Sequence, residues 1–159
     1  MKNHHRYLLP GCRLGTFALA VLAALAMVAQ VGAQVSIPGT NAVTENFDSM
    51  GTSATAALPS SWKMSAAGAG TSGGYDSVGN FTAVNQQASS GSPTAGGRYN
   101  WGSDATNRAA GFMTSGSYAS PNAVMVAYQN NTGSTISSIT ITFDVKRFRI
   151  NTAAANVTF

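Results

Sequence analysis

From residue 34 onward the chain holds only two lysines, Lys63 and Lys146, and one glutamate, Glu45, against 18 Ser, 15 Thr, 14 Gly and 11 Asn in 126 residues. Charged straight-chain residues are what solvate the outer face of an amphipathic helix, and here they are nearly missing. Twelve aromatic side chains in the same stretch, with many β-branched residues, suit pleated strands joined by tight turns. Low charge with that many aromatics also argues against a disordered polar tail. With 159 residues in all, the length allows one ordinary domain.

Residues 1–33 read as an export signal of helical type. Lys2, His4, His5, Arg6 and Arg13 form a cationic start, and residues 17–29 are an uninterrupted apolar run of 13 residues. A bilayer core of about 30 Å takes roughly 20 apolar residues, and Gln30 interrupts this run first. Small residues at Val31, Gly32 and Ala33 place signal cleavage after Ala33. Cys12 precedes the apolar run instead of following it, which argues against lipidation there. The expected mature protein is therefore secreted or held at the cell surface, without stable membrane insertion once the leader is removed.

Removing the leader changes the chemistry. The whole-chain pI of about 9.6 belongs to the precursor, because six Lys and Arg face five Asp and Glu beyond residue 33 and leave a formal charge of +1. Electrostatic attraction to nucleic acid loses its basis. Both histidines and Cys12 also lie in the leader, so the mature chain has no His-based triad, no Cys nucleophile, no His/Cys zinc site and no disulfide. Glu45 and Asp48 are three residues apart and point to opposite faces of a strand, which does not make a glycosidase pair. The expectation is a protein that is not an enzyme.

The expected fold is all-β: an antiparallel β-sandwich of jelly-roll type. Residues 34–42 read as a flexible exit segment and 43–159 as the sandwich, with a first short strand at 43–48. Further strands are expected at 62–64, 108–114 and 122–128, with a weak strand pair at 75–84, rigid structure resuming at 98–101, and loops at 65–74 and 86–97. Ile139, Ile141, Phe143 and Val145 alternate with Thr140, Thr142, Asp144 and Lys146, the clearest period-two pattern in the chain. The apolar positions then shift to Phe148 and Ile150, a change of parity that predicts a β-bulge at Lys146 and Arg147. The sequence breaks off while Val157 and Phe159 begin a new alternation, so a fragment of a larger protein is expected.

Sugars present apolar C–H faces ringed by hydroxyls, so a glycan site needs aromatic plates beside amides, carboxylates or guanidinium groups. Tyr99, Asn100, Trp101, Asp104 and Arg108 offer that mixture within ten residues, and Trp62 offers a second plate. The alternative is that both tryptophans fill the core and Asp104 pairs with Arg108 nearby. No cofactor is expected, although calcium is possible, with Asp76, Asn80, Asp104 and Asn107 as loop oxygen donors; Asx-turns are the competing explanation for each. Lys146, Arg147 and Arg149 form the sole basic cluster of the mature chain, and strand alternation divides it between faces, so no nucleic-acid partner is expected.

Several segments together resemble a recurrent module of large secreted bacterial surface proteins. They are 45–50 (Glu-Asn-Phe-Asp-Ser-Met), 58–62 (Leu-Pro-Ser-Ser-Trp), 86–93, 99–102 (Tyr-Asn-Trp-Gly) and 108–112 (Arg-Ala-Ala-Gly-Phe). The resemblance implies a jelly-roll domain just behind the signal peptide, ahead of lamin-tail, immunoglobulin-like, nuclease or autotransporter segments. It carries no catalytic residues. Two functional expectations follow: a non-catalytic module for weak carbohydrate recognition or adhesion, with a polysaccharide or cell-surface glycan as partner, or a passive N-terminal domain of a larger extracellular nuclease or glycoside hydrolase.

Overall fold

The computed structural model describes residues 33–89, 93–149 and 156–158, all within the unit Gly32–Phe159. The leader and its expected helix lie outside the described residues. Seven strands and one 3-10 turn make up the regular structure, with no α-helix among the described residues.

The strands are β1 (Val35–Ile37), β2 (Trp62–Met64), β3 (Gln86–Ala88), β4 (Gly97–Trp101), β5 (Ala109–Met113), β6 (Val124–Val126) and β7 (Tyr128–Asn130). They form three small open sheets: β1 beside β7, β2 beside β6, and β3-β4-β5. The all-β expectation therefore holds. The antiparallel expectation holds for β2–β6 and β4–β5, whereas β1–β7 and β3–β4 are parallel. Period-two alternation sets which face a side chain occupies and says nothing about the direction of the neighbour, which is why direction was misjudged.

Segment 124–130 links two of the sheets. Ala127, between β6 and β7, accepts the Val35 N–H at 2.8 Å and donates to the Ser61 carbonyl at 3.3 Å, so the chain leaves β2 and joins β1 within one residue. Residues 35–37, expected to be a loose exit, are thus tied down as β1. The strand expected at 43–48 is replaced by a 3-10 turn, Asp48–Met50. Polar side chains there bond their own backbone: Asn46 Oδ1 accepts the Asp48 N–H and Glu45 Oε1 accepts the Phe47 N–H. Such local bonds compete with a strand ladder.

The three-stranded sheet has a buried residue on nearly every position of β4. Ala88, Tyr99, Trp101 and Met113 form one core cluster, covered by Ala109 and Phe148. Ala110 and Phe112 of β5, which by alternation lie on the opposite face, pack on a second cluster of Met50, Ala56, Leu58, Met64 and Val84, joined by Phe47 and Trp62. The central sheet is thus packed on both faces.

The alternating stretch 139–145 behaves differently. It has no strand ladder among the described residues, and Ile139, Ile141 and Val145 are each more than half exposed. Without a ladder, Lys146 and Arg147 form no bulge. The parity change instead separates exposed chain from docked chain, because Phe148 turns in to stack on Trp101 with ring centroids 5.2 Å apart, and Arg149 bonds the Pro93 carbonyl.

Candidate ligand pocket beside β2

Of the expected glycan residues, Tyr99, Asn100, Trp101 and Arg108 come together turned inward, whereas Asp104 stays exposed and Trp62 lies apart. Arg108 is buried, as is Asn100. The Arg108 guanidinium donates from Nε to Asn100 Oδ1 at 2.7 Å, from Nη2 to the Asn100 carbonyl at 2.6 Å, and from Nη1 to the carbonyls of Gly102 at 2.8 Å and Asp104 at 3.2 Å. Asn100 Nδ2 in turn donates to the carbonyls of Gly51 and Ser53 at 3.0 Å each. Asp48 Oδ1 takes the Arg108 backbone N–H at 3.0 Å. These bonds tie β4, β5 and the 48–53 turn together. Burial pulls the Arg108 guanidinium below its usual value, partly offset by Asp104 and Asp48.

Tyr99 and Trp101 are buried as well, stacked at 4.5 Å and 19°, with the Tyr99 hydroxyl donating to the Ala95 carbonyl at 2.6 Å. Asp104 stays exposed and caps its own loop through the Thr106 N–H at 2.9 Å and the Thr106 and Ser103 hydroxyls. Those hydrogen bonds, the Thr106 N–H foremost, hold its carboxyl below the ordinary carboxylate range. Among the expected calcium donors, Asn80 gives its amide N–H to the Gly74 and Tyr75 carbonyls, Asn107 Oδ1 accepts from Lys146, and Asp76 lies 3.6 Å from Lys63. No group of three His, Cys, Asp or Glu that could hold a metal occurs among the described residues.

Trp62 sits elsewhere, with the Met64 cluster, and it borders a pocket of about 250 Å³ lined by Ala33, Leu58, Pro59, Ser60, Ser61, Lys63, Tyr75 and Thr82. The local sequence builds it. Pro59 starts a turn closed by the Trp62 N–H on the Pro59 carbonyl at 3.0 Å, and Ser61 adopts a left-handed backbone, φ 73°. Phe47, φ 62°, meets Trp62 edge-to-face with centroids 4.8 Å apart. Two non-glycine residues in a sparsely populated region on either side of one aromatic pair cost about 1–3 kcal/mol each, strain that tends to cluster at ligand sites.

Sequence reasoning named Trp62 but missed Tyr75 and Lys63 as its neighbours. The glycine- and serine-rich loop 65–74 brings Tyr75 back over β2, where its hydroxyl donates to the Ser61 carbonyl at 2.9 Å. Lys63 Nζ lies 4.1 Å from the Tyr75 ring centroid and donates to the Tyr75 carbonyl at 3.1 Å. The sequence placed Tyr75 at the end of a loop; it did not show where that loop lands.

A wider groove of about 950 Å³ runs along Ile37, Tyr128, Asn130 and 133–139. It offers one aromatic ring among serines and threonines, whereas the smaller pocket joins two aromatic rings, an ammonium and several hydroxyls.

Burial, with Asp76 adding to it, pushes the Tyr75 phenol above its ordinary 10.0. A raised folded-state value means that Tyr75 contributes stability which is complete below the unfolded value of about 10 and is lost as pH rises through the folded value. Urea unfolding midpoints are therefore expected to fall above about pH 10, and less steeply in Tyr75→Phe. Equal slopes in the two proteins would rule Tyr75 out as a source. Burial raises Tyr99 in the same direction, so the variant removes only part of the effect. In comparisons with protein families, curated proteins and solved structures, the chain has no match.

Proposed function

We propose that the mature chain is a secreted, non-catalytic recognition module of jelly-roll lineage that seats one sugar unit of a polysaccharide or cell-surface glycan in the pocket beside β2. The observation that carries this reading is the convergence of half-buried Trp62 and Tyr75 with Lys63, Ser60 and Thr82 around one concavity. Aromatic walls suit the C–H face of a pyranose, and hydroxyl and ammonium donors suit its ring of oxygens. With Ala33 as one wall the space measures about 250 Å³; leader cleavage removes that wall and leaves a more open cleft, which favours a single residue of a longer chain and weak affinity. The reading needs no metal. The sequence resemblance to secreted bacterial surface modules supports the same setting.

Titrating soluble polysaccharides while following tryptophan fluorescence tests it. A saturable change is expected, abolished in Trp62→Ala while circular dichroism stays unchanged. Silence toward a broad panel, with and without calcium, would overturn the proposal in favour of a passive N-terminal domain of a larger extracellular enzyme. One observation already favours that second reading: Tyr99, Asn100, Trp101 and Arg108 are spent on internal packing and hydrogen bonds.

A further inference from the structure

We infer that Gln34 is a self-modifying terminus: once the leader is cut after Ala33, its freed α-amino group closes on its own side-chain amide to give a pyroglutamyl end. The inference rests on the export reading and not on any ligand. Ala33 and Gln34 are both exposed, and the strand ladder takes over only at Val35, through its N–H on the Ala127 carbonyl at 2.8 Å. The 33–34 peptide bond thus lies outside every strand pairing, and hydrolysing it leaves β1 intact.

The sole described bond given up is the long one from the Tyr75 hydroxyl to the Ala33 carbonyl, 3.5 Å, and that hydroxyl keeps the Ser61 carbonyl at 2.9 Å. Among the described residues the Gln34 side chain is engaged in no hydrogen bond, ion pair or ring contact. Among the described residues, nothing holds back either partner of the ring closure.

The step is internal and balanced. The amine lone pair attacks the side-chain amide carbon, a lactam C–N bond forms, the bond to the amide nitrogen breaks, and ammonia leaves with the proton that the amine surrenders. No oxidant, reductant or second substrate takes part. The Gln34–Val35 peptide is untouched, so the Val35 N–H remains in its ladder. The product loses a terminal cation, and Lys63 and Lys146 become the only primary amines of the mature chain.

That count provides the test. The full precursor is produced in an exporting bacterial host, recovered from the exported fraction, exhaustively labelled with an amine-specific reagent under denaturing conditions and analysed by mass spectrometry. Two labels per chain are expected, with an N-terminal peptide beginning at residue 34 and lighter than its sequence mass by one ammonia. Gln34→Ala, processed at the same bond, is expected to take three. Three labels on the wild-type protein with an intact Gln34 terminus would overturn the inference and leave the export reading standing. A retained Met1 would overturn both, and cleavage elsewhere would overturn the inference alone.

Discussion

Replacing Arg108 by alanine is expected to lower the stability of the domain by about 4 kcal/mol, a large share of the 5–15 kcal/mol typical of native domains. The magnitude comes from what is left behind. Four hydrogen bonds from one buried guanidinium vanish, each worth about 1.5–3 kcal/mol when charge-assisted. They are not additive, but the carbonyls of Asn100 and Gly102 and the Asn100 Oδ1 lose their donor inside the protein. Arg108→Lys is expected to recover little, because one ammonium cannot reproduce a planar fork that bonds three residues at once. Urea unfolding followed by far-ultraviolet circular dichroism checks this, with the midpoint falling at unchanged slope. A loss under about 1 kcal/mol would mean that water replaces the guanidinium and that the network is peripheral.

Gly102→Ala probes the same network without touching charge. Gly102 has φ 144°, and a Cβ there would collide with the Asn107 carbonyl oxygen. Its carbonyl is one of the Arg108 acceptors, so relieving the clash moves an atom that Arg108 holds.

The sequence revealed strands where apolar alternation coincides with burial on a sheet that has neighbours. β2, β5 and β6 fall within expected stretches, β4 overruns its own by Gly97, β7 lies mostly beyond the stretch ending at 128, and 75–84 keeps only isolated bridges at Phe81 and Ala83. β1 and β3 were missed because each is a three-residue piece beside polar or glycine-rich chain, too short to show a period. The strongest pattern, 139–145, makes no ladder among the described residues; alternation states a capacity for pairing, and a partner must supply the other half. Of the candidate site, the tryptophans could be named from sequence but not told apart. Trp62 and Trp101 each sit on a short strand between polar residues. What separates them is that Phe148 arrives from 47 positions away in the chain to cap one ring and not the other.

That difference gives the second large expected effect. Trp101 is 4% exposed, stacked between Tyr99 and Phe148 with interplanar angles of 19° and 8°. It lies over Gly111, where an added Cβ would come within 3.1 Å of its ring. Trp101→Ala would therefore open a void lined by two aromatic rings and is expected to cost about 3–5 kcal/mol. Half-buried Trp62 has less to lose, about 2 kcal/mol, because only part of its surface leaves water on folding. The two variants should thus fail in opposite ways. Trp101→Ala loses sugar binding only to the extent that it unfolds, so trimethylamine N-oxide, which favours burial of protein surface, restores both its near-ultraviolet circular dichroism and its binding. Trp62→Ala keeps its fold, and the osmolyte restores nothing. A Trp101→Ala protein with a wild-type urea midpoint and no affinity for sugar would move the ligand plate to β4, and the pocket beside β2 would then be a packing defect.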